Sequence, residues 1–140
     1  MSGHEDVRRR RWAVLVGVAV IAIGAGFLVW NARQDVAGPR RIVVPELSPV
    51  ARQGQAAYDR HCVECHGSHG AGSADGPPLV HPVYRPAHHA DVAFALAVQR
   101  GVRAHHWRFG DMPAQPDVLE DDIAAITRYV RELQVANDIE

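Results

Sequence analysis

The chain has no lysine. All 15 of its basic residues are arginine, set against 16 acids, for a net charge of −1 over 140 residues. That balance excludes a generic nucleic-acid binder, which carries a basic excess. The missing lysine, beside abundant alanine, reads as a coding bias and implies no function. Cysteine is scarce too, and two residues cannot build the dense disulfide framework of a small secreted scaffold. Apart from the initiator, Met112 is the only methionine. There is no low-complexity tract, and a 22% charged fraction excludes wholesale disorder. No segment alternates convincingly between apolar and polar, so no strand is expected. A glycine-rich phosphate loop is absent. The densest acidic run, Glu120-Asp121-Asp122, reads as a helix start rather than a hydrolytic site.

What the chain does have is unevenly spread. Trp12 to Trp30 is free of charge, and Arg8, Arg9, Arg10 and Arg11 precede it. A helix of that length spans roughly 28 Å, close to the hydrocarbon thickness of a bilayer. Tryptophan at both ends suits a membrane interface, and four cations before the run place the N-terminus in the cytoplasm. A cleaved signal peptide is the competing reading, but its apolar region is shorter and WNARQDVAG offers a poor cleavage site. A buried core helix would show a polar stripe, which is absent. The expectation is therefore a cytoplasmic tail over 1–11, a transmembrane anchor over 12–30, a linker over 31–47 and an exported domain over 48–140. The span would make this a single-pass protein of the cytoplasmic (inner) membrane, with its domain on the periplasmic face.

Ser48-Pro49 looks like a helix start, with Ser48 as N-cap and Pro49 at the first helical position. That helix is predicted to run to about Arg60. Gly54 and Tyr58, four apart, share one face. A glycine inside a helix costs up to about 1 kcal/mol relative to alanine, so Gly54 points to close approach of another element. Residues 67–89 and 101–117 read as loops. Asp91–Gln99 reads as a short helix that stops at Gly101. Ile123, Ile126, Val130 and Leu133 line one face of a last helix beginning near residue 119. The domain is thus all-α and loop-rich. A core this small rarely supplies more than roughly 3–5 kcal/mol unaided, so a metal, disulfide or cofactor is expected as a staple.

Cys62-Val63-Glu64-Cys65-His66 is a CxxCH motif. Two thiols two residues apart can add to the two vinyl groups of a haem, and the adjacent histidine can take the iron as an axial ligand. A redox CxxC needs a thioredoxin-like βαβ context, which is missing. A structural zinc site needs two further ligands; His66 and His69 follow, but there is no second cysteine pair. A plain disulfide leaves His66 unexplained. For a sixth ligand, Met112 stands in a polar, proline-flanked loop, Gly110 to Pro116, where a methionine is poorly explained as core filler. His105 and His106 are the alternatives and would give a lower reduction potential.

The domain resembles a class I c-type cytochrome, of the membrane-anchored monohaem kind, over about residues 48–135. The resemblance rests on CxxCH, on the methionine loop 46 residues after it (112 minus 66), and on the terminal amphipathic helix. It implies one covalent haem c held by Cys62 and Cys65, with His66 and Met112 as axial iron ligands. It also implies that Gly54 and Tyr58 of the first helix cross Ile126 and Tyr129 of the last. Gly76-Pro77-Pro78-Leu79 matches a further stretch of the family. By that likeness the Pro77 carbonyl would accept from the other nitrogen of His66, and Leu79 would pack on the haem. Leu119 departs from the pattern, standing where a polar cap is common.

The expected function is single-electron transfer, not an enzyme activity. Its partners would be redox proteins of a respiratory or dehydrogenase chain, with no nucleic acid. A haem c subunit of a larger oxidase or dehydrogenase would show the same motif. The segment from His81 to Arg108 is unusually rich in histidine. Its His81, His88, His89, His105 and His106 read either as a shell around the haem edge or as a second, copper-binding metal site.

Overall fold

The computed structural model describes Trp12, residues 15–28 and residues 41–140. The chain divides into two units, Met1–Gly38 and Pro39–Glu140.

In the first unit, helix α1 is described over residues 15–28. This corrects the expected transmembrane anchor. Among the described residues no helix is long and apolar enough to cross a membrane. The described stretch of α1, fourteen residues (15 to 28), rises about 21 Å, against a hydrocarbon core of about 30 Å. Ala13, Val14, Val29, Trp30 and the arginine-rich residues 1–11 lie outside the described residues. The single-pass inner-membrane location, with a periplasmic domain, loses its basis with the span.

The second unit is mostly helical. Its elements are α2 (Pro49–His61), the one-turn α3 (Val63–His66), α4 (Asp91–Arg100) and α5 (Glu120–Ala136), with 3-10 turns at Ser68–Gly70 and Pro82–Tyr84. Its only described β pairing is an isolated antiparallel bridge between Val102 and Met112. Helix α2 starts as its residues dictate: Ser48 Oγ accepts from the Ala51 amide at 3.2 Å, and Pro49 follows. Helix α4 ends at Arg100, one residue beyond the predicted Gln99, with Gly101 as its C-cap as expected. Helix α5 starts after Leu119, which makes no side-chain cap, and its three acids favour the positive end of the helix dipole.

The core lies where α2 crosses α5. Ile123, Ile126, Val130 and Leu133 are all buried, with Ala51, Ala57, Tyr58 and Tyr129. Gly54 sits against the α5 backbone, so that a Cβ there would lie 1.9 Å from the Ala125 carbonyl oxygen. Tyr58 and Tyr129 meet edge to face, 5.5 Å between ring centroids. The segment before α2 runs along the same unit. Leu47 is buried, and Asn137 clasps Val43 at both its amide (3.0 Å) and its carbonyl (2.9 Å). Glu132 accepts from the Ser48 amide at 2.9 Å, tying the start of α2 to α5.

Candidate haem site

The cysteines sit where one helix ends and the next turn begins. Cys62 caps the C-terminus of α2, its amide donating to Tyr58 O at 2.8 Å, and also precedes α3. The His66 amide donates to Cys62 O at 2.9 Å, closing one helical turn around the motif. Both thiols are free, Cys62 half-buried and Cys65 exposed. Burial pushes the Cys62 thiol up to about 11, and the neighbouring Cys65 adds to the shift. At neutral pH it is therefore S–H.

His66 is buried, and its Nδ1 lies 2.9 Å from Pro77 O. A carbonyl can only accept, so Nδ1 carries the proton and Nε2 keeps its lone pair. Desolvation pulls this imidazole below the usual histidine range, and the Pro77 bond offsets part of that. The ring is neutral near pH 7, which is the metal-ligating form, and the carbonyl fixes its orientation.

The Pro77 carbonyl is held by a loop folded back on the motif. Ser73 Oγ donates to Cys65 O at 2.6 Å, and the Gly72 amide donates to His66 O at 2.7 Å. Gly67 permits this return: its φ is +70°, and a Cβ there would lie 2.2 Å from Gly72 O. Tyr58 Oη donates to Gly67 O at 2.8 Å, and the Tyr129 hydroxyl is hydrogen-bonded to His69 Nδ1 at 2.8 Å. Burial raises the pKa of both phenols, Tyr129 to about 12, so both stay protonated. Leu79 is half-buried against the core, and its amide donates to Gly70 O at 2.8 Å.

Met112 is half-buried and lies on the second loop. It exchanges both backbone hydrogen bonds with Val102, each 2.9 Å. Asp111 Oδ1 accepts from the Ala104 amide at 2.8 Å, closing the turn between. His105 and His106, the alternative ligands, gather with His88 and His89. The His106 ring centroid lies 5.4 Å from that of His88 and 5.3 Å from that of His89.

The donor set fits a haem c. It offers two thiols one turn apart and an imidazole whose proton is fixed on the nitrogen away from the metal. Zinc fits poorly. Among the described residues the side chains whose ligand atoms converge are His88, His89 and His106, and the motif's own donors do not form such a group.

Two site-supporting residues were missed in the sequence. Gln134 is fully buried and donates to Leu79 O at 2.9 Å and to Tyr84 O at 3.1 Å. Arg131 donates to Tyr84 O at 2.7 Å, to Gln134 Oε1 at 2.6 Å and to His89 O. A signal for Gln134 existed: it stands four residues after Val130, on the apolar face of α5.

A family model described as Cytochrome c matches residues 51–134. No curated protein and no solved structure gives a significant match.

Proposed function

This chain is a member of the cytochrome c family, and we propose that it is a monohaem single-electron carrier whose iron takes His66 and Met112 as axial ligands. Its family carries covalently bound haem c, and Cys62 and Cys65 of the CxxCH motif fit that attachment. When bound, the haem supplies one-electron chemistry, cycling between ferrous and ferric iron. The chain's own residues supply attachment, orientation and exclusion of water. The observation that carries the reading is the His66 Nδ1–Pro77 O hydrogen bond at 2.9 Å inside the motif loop. It leaves Nε2 as the donor and makes the ring more basic toward a metal.

Met112 is favoured over His105 and His106 because those rings are engaged with His88 and His89. A thioether ligand raises the reduction potential relative to imidazole. Leu79, positioned by its backbone bond to Gly70, supplies an apolar contact for the haem. In this reading the protein carries electrons and is not itself an enzyme. The partners in this reading are redox proteins of a respiratory or dehydrogenase chain.

The test is Met112→Ala in the haem-loaded protein. The sulfur–iron charge-transfer band should vanish and the potential should fall. An unchanged band would refute the assignment of Met112. Migration of the native protein as a single haem-bearing chain supports a carrier, whereas recovery in a fixed complex would make it a subunit of a larger oxidase or dehydrogenase.

A further inference from the structure

Three imidazoles converge away from the CxxCH motif. The ligand nitrogens of His88, His89 and His106 all lie within 4.8 Å of one another. They come from two separate segments, and each segment is fixed by its own backbone. The amides of His88 and His89 donate to Arg85 O at 2.9 and 2.8 Å. His106 lies on the turn closed by the Val102–Met112 bridge. Trp107 Nε1 donates to Tyr84 Oη at 3.2 Å, joining that turn to the segment that leads into His88.

The rings are also oriented. His89 Nδ1 lies 2.7 Å from Val83 O, so it donates there and leaves Nε2 as the open donor. A metal-ligating histidine characteristically gives its other ring N–H to a carbonyl in this way. Arg131 holds the backbone at Tyr84 and His89, which keeps the scaffold rigid. His105 borders the group, its ring centroid 4.2 Å from that of His106, and its Nδ1 is bonded to Arg103 O at 2.9 Å. Four imidazoles crowded together at a surface repel one another when protonated, whereas a cation among them converts the crowding into coordination.

We propose that His88, His89 and His106 form a binding site for a divalent transition-metal cation, copper(II) or zinc(II), separate from the haem motif. Nitrogen-only donors exclude the hard cations magnesium and calcium, which take oxygen. The absence of sulfur in the group disfavours copper(I). Metal–nitrogen bonds of about 2.0–2.1 Å require donors closer together than 4.8 Å, and side-chain rotation of the exposed His88 and His106 rings toward the fixed His89 supplies that movement.

The full haem-loaded chain, stripped with chelator and desalted, is titrated with copper(II) or zinc(II) and assayed for metal against iron. One equivalent per iron should be retained, with copper(II) held at least about tenfold more tightly than zinc(II), following the order of divalent affinities. The triple replacement of His88, His89 and His106 by alanine should lose it, while His61→Ala, outside the group, should keep it. His106→Gln keeps a polar side chain of similar length but removes the imidazole nitrogen, and should weaken binding at least about tenfold. An unchanged haem absorption spectrum certifies that each variant is folded; should the triple variant fail that check, His106→Gln carries the test. Absence of a saturable equivalent in the parent chain, or undiminished binding in His106→Gln, would overturn the proposal.

Discussion

Replacing Gly54 with alanine should drive α2 and α5 apart. The new Cβ would lie 1.9 Å from the Ala125 carbonyl oxygen, 2.4 Å from its carbonyl carbon and 2.9 Å from the Ile126 nitrogen. All three are backbone atoms of a helix, so no side chain can rotate out of the way. Ordinary contact begins near 3.4 Å, so the helices must separate by about 1.5 Å (3.4 minus 1.9). Over-packing of this kind costs about 1–3 kcal/mol, and a backbone obstacle places it at the upper end. Against that, alanine in a helix interior gains about 0.5–1 kcal/mol over glycine. The net is a loss of about 2 kcal/mol, which in a domain of this size lowers Tm by roughly 8–16 °C. Thermal melts of the haem-loaded chain, followed by circular dichroism at helical wavelengths, measure it. Gly54→Val should lose more than Gly54→Ala. A Tm equal to or above the parent's would mean that helix propensity wins and that the two backbones do not touch, refuting the account of the crossing.

Two further perturbations test the polar frame. Gln134→Leu removes the donor to Leu79 O, while Tyr84 O keeps its bond from Arg131. One stranded carbonyl costs about 1–3 kcal/mol, so urea unfolding should show a loss of about 2 kcal/mol with the slope m unchanged; no loss would mean that Gln134 contributes nothing. Glu132→Gln tests the pH dependence. Desolvation raises the Glu132 pKa, but the bonds from Ser48 and Arg128 outweigh it and hold the carboxyl below its usual value of 4.5. A pKa lowered in the folded state contributes stability that is present above the unfolded value and is lost as pH falls through the folded one. The parent should therefore exceed the variant by about 0.5–1 kcal/mol at neutral pH, with the gap closing below about pH 4.5. A gap that does not change with pH would contradict the assignment.

Local chemistry made much of the second unit legible. Ser48-Pro49 starts a helix by satisfying orphan amides, Gly101 ends one, and the 3-4-3 spacing of Ile123, Ile126, Val130 and Leu133 names a buried face. Gly54 was legible because a glycine inside a helix has a cost that close packing explains. Long-range polar bonds were not legible. Nothing in the sequence near Asn137 says that its partner is Val43, 94 residues away. Residues 41–47 carry no periodicity, yet Leu47 is in the core, because one buried leucine needs no repeat. The charge-free run Trp12–Trp30 misled for a related reason. Hydropathy reports how apolar a stretch is, whereas among the described residues no helix is long and apolar enough to cross a membrane.

The unpredicted residues explain how so little core holds so much loop. Arg131 is mostly buried, and a buried guanidinium is tolerated only when its fork of donors is satisfied. Here Nε meets the Asp91 carboxylate at 2.8 Å, Nη1 meets Tyr84 O and Gln134 Oε1, and Nη2 meets His89 O. The ring of Phe94 lies beneath the same group, 4.8 Å from its central carbon. Lysine, with one compact ammonium, could not reach these acceptors together. Gln134 then carries the connection on to Leu79 O, beside the loop that positions Pro77. Helix α5 packs its apolar face on α2 and uses these two polar residues to hold the segment between the haem motif and α4. The stability that hydrophobic area alone would not supply in a domain this small thus comes in part from a satisfied polar hub, and the haem motif and the histidine group share that hub as their anchor.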